Sequence, residues 1–302
     1  SDAPTINPGE ELDLSVRPTI IFQVFGSAND PRMVPIAALR QGALVPIVLR
    51  QQGWHHFDAM YFHPGAIYPL YADGRLKGTV TVRRGMWTGG GNDPLYTLPG
   101  CQTLTPLAAV TLSSTSAPTA FTVEYLAAST PVIDSQRPAA PATATLPAAE
   151  TERIARTVAA RVAQDFHINV ATLDSLDFHA LSFPSGVGTA PTIVASFIDP
   201  EADNPASLNV RTTHLLLIAN RDSTGAYVPT FIHRVNGALA DAEFRRFVDH
   251  LDLTGDGVDE IVLEGWHFGG AASLTILGWR DGKWVTVHHT RPTWCLDDAP
   301  SK

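Results

Sequence analysis

The most chemically suggestive part of the chain is an acidic stretch within VDHLDLTGDGVDEIVLEGWHF, residues 248–268. Four acids and two glycines fall within residues 252–260, and an apolar run follows. Calcium in proteins takes six to eight oxygen ligands, several of them carboxylates, from a sharply turning backbone. Counted from Asp252 as position 1, the oxygen donors are Thr254, Asp256, the carbonyl of Val258 and Glu260. This spacing predicts a calcium site.

The same residues are also typical of a plain acidic turn between two strands, because Asp and Gly are common turn formers. An EF-hand is excluded, since position 12 is Leu263 where that motif needs a bidentate glutamate. The run that follows, EIVLEGW, has a strand pattern. The four carboxylates have no Lys or Arg among them, and their mutual repulsion favours a bound cation over the plain turn.

The acidic stretch resembles the β-hairpin calcium loops of FG-GAP/VCBS-type repeats, found in integrin-like propellers and many exported bacterial proteins. Their pattern is D-x-[DN]-x-D-G-x-x-[DE] running into an apolar strand, and residues 252–263 are similar to it. The resemblance implies Asp252, Asp256 and Glu260 as carboxylate ligands and Val258 as a carbonyl ligand. The sequence departs from the pattern at Thr254, which removes one charge. With the missing initiator Met, the resemblance leads us to expect a secreted, periplasmic or cell-surface protein.

Other motifs that would carry chemistry are absent from the sequence. It has no G-x-S-x-G, H-E-x-x-H, phosphate-binding glycine loop or dinucleotide fingerprint. His55, Asp58 and His63 form a weak candidate for a transition-metal site, and exposed loop histidines are the alternative. The six tryptophans are interpreted as core residues rather than as a sugar platform. The paired acids of a glycosidase leave no sequence mark, so that enzyme class stays open.

Composition and charge limit the possible partners. The chain has 302 residues, a length that suits two domains, and is 44% hydrophobic and 17% charged, as globular proteins are. The formal net charge of −9 disfavours binding to nucleic acid or anionic membrane. No apolar stretch reaches the roughly 18 residues of a membrane span. A protein or glycan partner is therefore expected.

The pattern of apolar residues predicts a mainly β chain with an α+β C-terminal part. We expect an N-terminal arm (1–17), a small all-β sandwich or barrel (18–127), a Pro/Ala-rich linker (128–148) and an α+β domain (149–298). In the last part, PAAETERIARTVAARVAQDF predicts a long helix packed on an antiparallel meander.

Several local features are also predicted. Asp73-Gly74 predicts a two-residue hairpin turn, and VPIAALRQG and ADAEFRRFVDHL are candidate short helices. Cys101 and Cys295 are predicted to form a disulfide, on the expectation of an oxidising compartment, with two free thiols as the alternative.

These observations favour an exported, non-enzymatic binding or interaction protein with a calcium-stabilised C-terminal domain. One alternative is a secreted hydrolase acting on polysaccharide, whose acid pair is hidden among ordinary Asp and Glu residues. A second alternative is a structural subunit of an extracellular assembly.

Overall fold

The computed structural model describes residues 11–87, 106–114, 122–133, 145–200, 210–268 and 272–290. The chain divides into two compact units. Unit 1 comprises the described residues within Ser1–Arg137, Asp249–Asp256 and His288–Lys302, and unit 2 those within Pro138–Val248 and Gly257–Val287. The sheets are antiparallel and the chain is mainly β, so the predicted fold class is confirmed at this level.

Unit 1 contains a closed antiparallel barrel of six strands. The first seven strands are β1 (Thr19–Ser27), β2 (Asp30–Arg40), β3 (Ala43–Val45), β4 (Ile67–Ala72), β5 (Arg75–Arg84), β6 (Ala108–Ser114) and β7 (Thr122–Ala128). Their order is β1-β7-β4-β5-β6-β2-β3, and the pairing of β1 with β2 closes the barrel while β3 extends β2. Of the two predicted alternatives, sandwich or barrel, the structure has the barrel. Closure leaves these six strands without a free edge.

The hairpin predicted at Asp73-Gly74 is confirmed. Ala72 of β4 pairs with Arg75 of β5, which leaves the two intervening residues as the turn. Asp73 has φ 51° and Gly74 has φ 68°, the left-handed conformations that suit the twist of a two-residue hairpin.

Helix α1 (Gln51–Tyr61) was not predicted from the sequence, which was interpreted there as a histidine-rich loop. Its buried face is formed by Trp54, Phe57, Asp58 and Tyr61, which recur at helical spacing. The Tyr61 hydroxyl donates a hydrogen bond of 2.7 Å to the carbonyl of Pro18, which fixes the helix against the start of the barrel.

Unit 2 contains strands from two sheets that share one hydrophobic core. The first sheet has the order β11-β10-β9-β8, formed by β8 (Asp177–Phe183), β9 (Thr192–Ile198), β10 (Arg211–Arg221) and β11 (Tyr227–Ala238). The second has the order β12-β13-β14-β15, formed by β12 (Glu243–Leu251), β13 (Glu260–His267), β14 (Ser273–Arg280) and β15 (Lys283–Thr290). Leu216 and Ile218 of the first sheet pack with Leu263 and Leu277 of the second.

The other face of the first sheet is covered by helix α2 (Ala148–Asp165), which is followed by the short helix α3 (Val170–Leu173). Val158 and Val162 of α2 pack with Leu215 and Leu217 of β10. Because successive side chains of a strand point to opposite faces, β10 is buried on both sides and is apolar without interruption from Leu215 to Ala219.

Two candidate short helices are wrong. VPIAALRQG lies largely in β2, and ADAEFRRFVDHL forms a 3-10 turn at Leu239–Asp241 followed by β12. In both places pairing with a neighbouring strand overrides a local pattern that also fits a helix. Across the part of the chain that the structure describes, none of the helices has the length and apolar character needed to cross a membrane.

Candidate functional site

The acidic loop joins β12 to β13, and its first half is held by the side chain of Asp252. The Asp252 Oδ1 accepts hydrogen bonds from the backbone N–H groups of Gly255 (2.8 Å) and Asp256 (3.1 Å). Gly255 and Gly257 have φ 77° and 89°, a left-handed conformation that residues with a Cβ rarely adopt. The two glycines therefore allow the sharp turns that the sequence predicted here.

The second half of the loop, in unit 2, is held by the segment that precedes β9. The Asp259 N–H donates a hydrogen bond of 2.8 Å to the Ser185 carbonyl. A Cβ on Gly186 would lie 2.2 Å from the carbonyl oxygen of Gly257, a distance that atoms cannot adopt. Residue 186 must therefore be glycine for this backbone to approach so closely.

The five predicted calcium ligands lie in different surroundings. Asp252 and Glu260 are buried, Thr254 and Val258 are half-buried, and the Asp256 side chain is exposed. Among the residues described by the structure, no three or more His, Cys, Asp and Glu side chains form a group that could hold a metal ion. The loop thus has the turns and the oxygen donors that calcium prefers, while its carboxylates are not gathered into such a group. Calcium binding at these five residues stays a prediction.

Two buried carboxyl groups in unit 1 have raised pKa values. Burial raises the pKa of Asp249 to about 7, although its Oδ1 accepts backbone hydrogen bonds from His250 (2.8 Å) and Asp73 (2.9 Å). Burial likewise raises the pKa of Asp58 to about 6, against the opposing effect of hydrogen bonds from the Met86 and Trp87 backbone. Groups with such values suit acid–base chemistry, and neither was singled out from the sequence for that role. Both carboxyl groups hold backbone N–H groups in place.

His214 is the histidine of unit 2 whose pKa is shifted most strongly. Its Nδ1 lies 3.0 Å from the Phe197 carbonyl oxygen, and its Nε2 lies 3.0 Å from the Arg245 backbone nitrogen. An N–H can donate only to an acceptor, so Nδ1 carries the proton and Nε2 accepts from Arg245. Burial lowers the pKa of His214 to about 4, so the ring is neutral at pH 7. It links β9, β10 and β12 rather than offering a free nitrogen to a ligand.

Asparagine 220 is the centre of a buried polar network in the core between the two sheets. Its Nδ2 donates to the Thr192 hydroxyl at 2.7 Å. Its Oδ1 accepts from the Thr230 hydroxyl at 2.7 Å and from the Trp284 indole N–H at 2.9 Å. The Ser185 hydroxyl lies 2.5 Å from that of Thr192, so Ser185 is committed to the network and is not a free nucleophile.

The tryptophans that the structure describes pack against other side chains. Trp54 and Trp284 are buried, and Trp279 meets Trp284 edge-on with ring centroids 5.2 Å apart. Trp266 stacks on Phe244 at 5.8 Å, in agreement with the interpretation as core residues. His55 stacks on Trp87 with centroids 3.6 Å apart. Cys101, Cys295 and most of the proposed linker lie outside the described residues.

Comparison of the chain with models of protein families, with curated proteins and with solved structures finds no match.

Proposed function

We propose that this protein is an exported, non-enzymatic binding protein for a protein or glycan partner, stabilised by calcium at residues 252–260. The observation that carries the proposal is the acidic loop, in which Asp252 closes the turn and Thr254, Asp256, Val258 and Glu260 supply further oxygens at calcium-type spacing. The proposal includes that α2 and the strands after it, within residues 149–298, form one α+β domain.

The local structure of the loop supports the calcium part of the proposal. A calcium ligand set needs a backbone that turns tightly, and the hydrogen bonds to Asp252 provide that turn without a metal. The Asp256 side chain lies at an exposed position of the loop. Because the carboxylates do not form a metal-holding group in the structure, the proposal includes a rearrangement of Asp256 when calcium binds.

The surroundings of the perturbed carboxyl groups support binding rather than hydrolysis. Hydrolysis of a glycosidic bond uses two carboxyl groups that flank the bond, one of them with a raised pKa. Asp58 and Asp249 have raised pKa values, but each is buried and hydrogen-bonded to the backbone. Their roles are accounted for by the folding of unit 1.

The calcium part is tested by thermal unfolding with calcium and with a chelator. A ligand that binds only the folded state at a hundredfold excess over its Kd stabilises the protein by about 2.7 kcal/mol, so calcium should raise the melting temperature. Asp256→Asn should remove most of this increase, because one carboxylate ligand is lost. Asp177→Asn, which neutralises an exposed acid at the start of β8, is the matched control and should keep the full response. Equal melting curves of the original protein in calcium and in chelator would refute the calcium site.

The binding part is tested by co-sedimentation with insoluble acidic and neutral polysaccharides, together with an assay for new reducing ends. The proposal expects the protein to be retained without any new reducing ends. Release of reducing ends that depends on Asp58 or Asp249 would instead show the hydrolase.

A further inference from the structure

A cleft in unit 2 between α2 and the β10–β11 hairpin contains three arginine side chains. It has a volume of about 240 Å³ and is lined on the α2 side by Glu150, Arg153, Ile154, Thr157, Val158 and Arg161. The hairpin side is formed by Arg221, Gly225, Ala226 and Tyr227. The cleft is separate from the acidic loop and from the buried titratable groups discussed above.

The arginines of the cleft have no acidic partner, unlike several others on the same unit. Arg246 lies 2.6 Å from a carboxylate oxygen of Glu264, and Arg245 lies 3.1 Å from one of Glu243. Within the described residues, Arg153, Arg161 and Arg221 form no ion pair with a carboxylate. With Glu150 as the one acid of the lining, the cleft has a formal charge of +2.

The three arginines come from two elements that line the same cleft. Arg153 and Arg161 are eight residues apart on α2, about 12 Å along the helix axis, and both line the cleft. Arg221 approaches from the opposite wall, where its guanidinium lies 5.5 Å from the centre of the Tyr227 ring. The nearest acid along the chain, Asp222, uses its Oδ1 to accept hydrogen bonds from Thr224 and Ala226 in its own turn.

We propose that this cleft binds an organic molecule carrying a phosphate monoester group, a tetrahedral oxyanion that is doubly charged at neutral pH. Guanidinium groups donate paired hydrogen bonds to such oxyanions, and a dianion balances the formal charge of +2. The half-buried Ile154 gives the cleft an apolar side chain for the organic part of the ligand. This site goes beyond the proposed function and does not depend on calcium.

The test is calorimetric titration of the full chain, in chelator and at constant ionic strength, with inorganic phosphate, inorganic sulfate and phenyl phosphate. Phenyl phosphate should bind more tightly than inorganic phosphate because its ring can pack on Ile154. Arg153→Gln, Arg161→Gln and Arg221→Gln should each weaken binding by about tenfold, which corresponds to the loss of one charge-assisted interaction. Arg161→Lys keeps the positive charge but not the paired hydrogen-bond donors. Its affinity for phenyl phosphate should therefore lie between those of the original protein and Arg161→Gln.

Arg280→Gln is the matched control, since Arg280 also ends a strand and precedes an Asp at a hairpin turn but lies outside the cleft. It should bind phenyl phosphate as the original protein does. A change of pH adds a second readout. The phosphate group of phenyl phosphate takes up a proton near pH 6 as pH falls, so phenyl phosphate binding should weaken between pH 7.5 and pH 5 while binding of inorganic sulfate does not.

Three outcomes would overturn the proposal. One is the absence of binding at millimolar phenyl phosphate, and another is an equal loss of affinity in the Arg280→Gln control. The third is full affinity in all three cleft variants. Because calcium is chelated throughout, failure of this site leaves the calcium test unaffected, and failure of calcium binding leaves this test unaffected.

Discussion

Replacement of Asp249 by Asn should make the free energy of unfolding less sensitive to pH between about pH 4 and pH 7. The Asp249 side chain is 5% exposed, and burial raises its pKa from 3.8 to about 7. Among the surrounding charged groups, His250 lowers the pKa of Asp249 and the carboxylate of Asp73 raises it. The Asp73 carboxylate forms an ion pair with Lys77 at 3.0 Å. Above pH 7 the folded protein must therefore hold an ionised carboxylate in a buried position.

The sign of the effect follows from the two pKa values of the same group. Between pH 3.8 and about 7 the folded chain holds the Asp249 proton more strongly than the unfolded chain does. The free energy of unfolding therefore decreases as pH rises through this window and is level above it. Since one pKa unit corresponds to 1.36 kcal/mol, the full effect of the shift is about 4 kcal/mol. Asp249→Asn keeps an oxygen that can accept from Asp73 and His250 but has no proton to lose.

The assay is urea unfolding of the original protein and of Asp249→Asn at intervals between pH 4.5 and pH 8.5. The variant should gain about 3 kcal/mol relative to the original protein across this range, because part of the full effect lies below pH 4.5. Burial lowers the pKa values of His214, His233 and His288, and the resulting pH dependence is common to both proteins and cancels in the difference. Asp177→Asn, at an exposed position, should give a difference independent of pH. A flat difference for Asp249→Asn as well would refute the reasoning.

Two further predictions concern the buried polar groups of unit 2. His214→Gln should cost about 1–3 kcal/mol at pH 7.5, because the Phe197 carbonyl or the Arg245 N–H loses its partner. The cost of the substitution should be smaller at pH 4.5. Because the pKa of His214 is lowered to about 4 in the folded protein, the neutral ring contributes its full stabilisation above pH 6.5, and this stabilisation is lost as pH falls. Urea unfolding at both pH values checks it, and a cost independent of pH would contradict it. Asn220→Leu should destabilise the protein by at least about 2 kcal/mol, since the Trp284 N–H and two hydroxyl groups lose their partner. Urea unfolding followed by tryptophan fluorescence measures this, and an unchanged midpoint would count against it.

Features set by neighbouring residues could be predicted from the sequence. The Asp73-Gly74 hairpin needs two residues that accept a left-handed backbone, which is a property of those residues themselves. The apolar run of β10 is likewise a local property of a strand buried on both faces, and its alternate side chains enter two different cores. The sharp turns of the acidic loop likewise depend on Asp252 and its nearby glycines.

Features that depend on distant partners were decided by the tertiary structure. Phe244, Phe247 and Leu251 have a spacing that fits a helix as well as a strand, and the backbone N–H of Arg245 meets His214, 31 residues away. The buried face of α1 is visible in the spacing of Trp54, Phe57 and Tyr61, yet its short, histidine-rich sequence also resembles a loop.

The same division applies to the candidate sites. The carboxylates of the acidic loop are close in sequence, so their spacing alone suggested a cation, whereas their grouping depends on side-chain directions that spacing does not fix. The raised pKa of Asp249 arises from burial, which no local pattern around VDHL reports. Arg221 lies 60 residues or more from Arg153 and Arg161, and only the packing of α2 on the first sheet of unit 2 places the three arginines in one cleft. Sequence thus determined the turns and strands that local chemistry fixes, and tertiary packing determined which charges are buried and which ones meet.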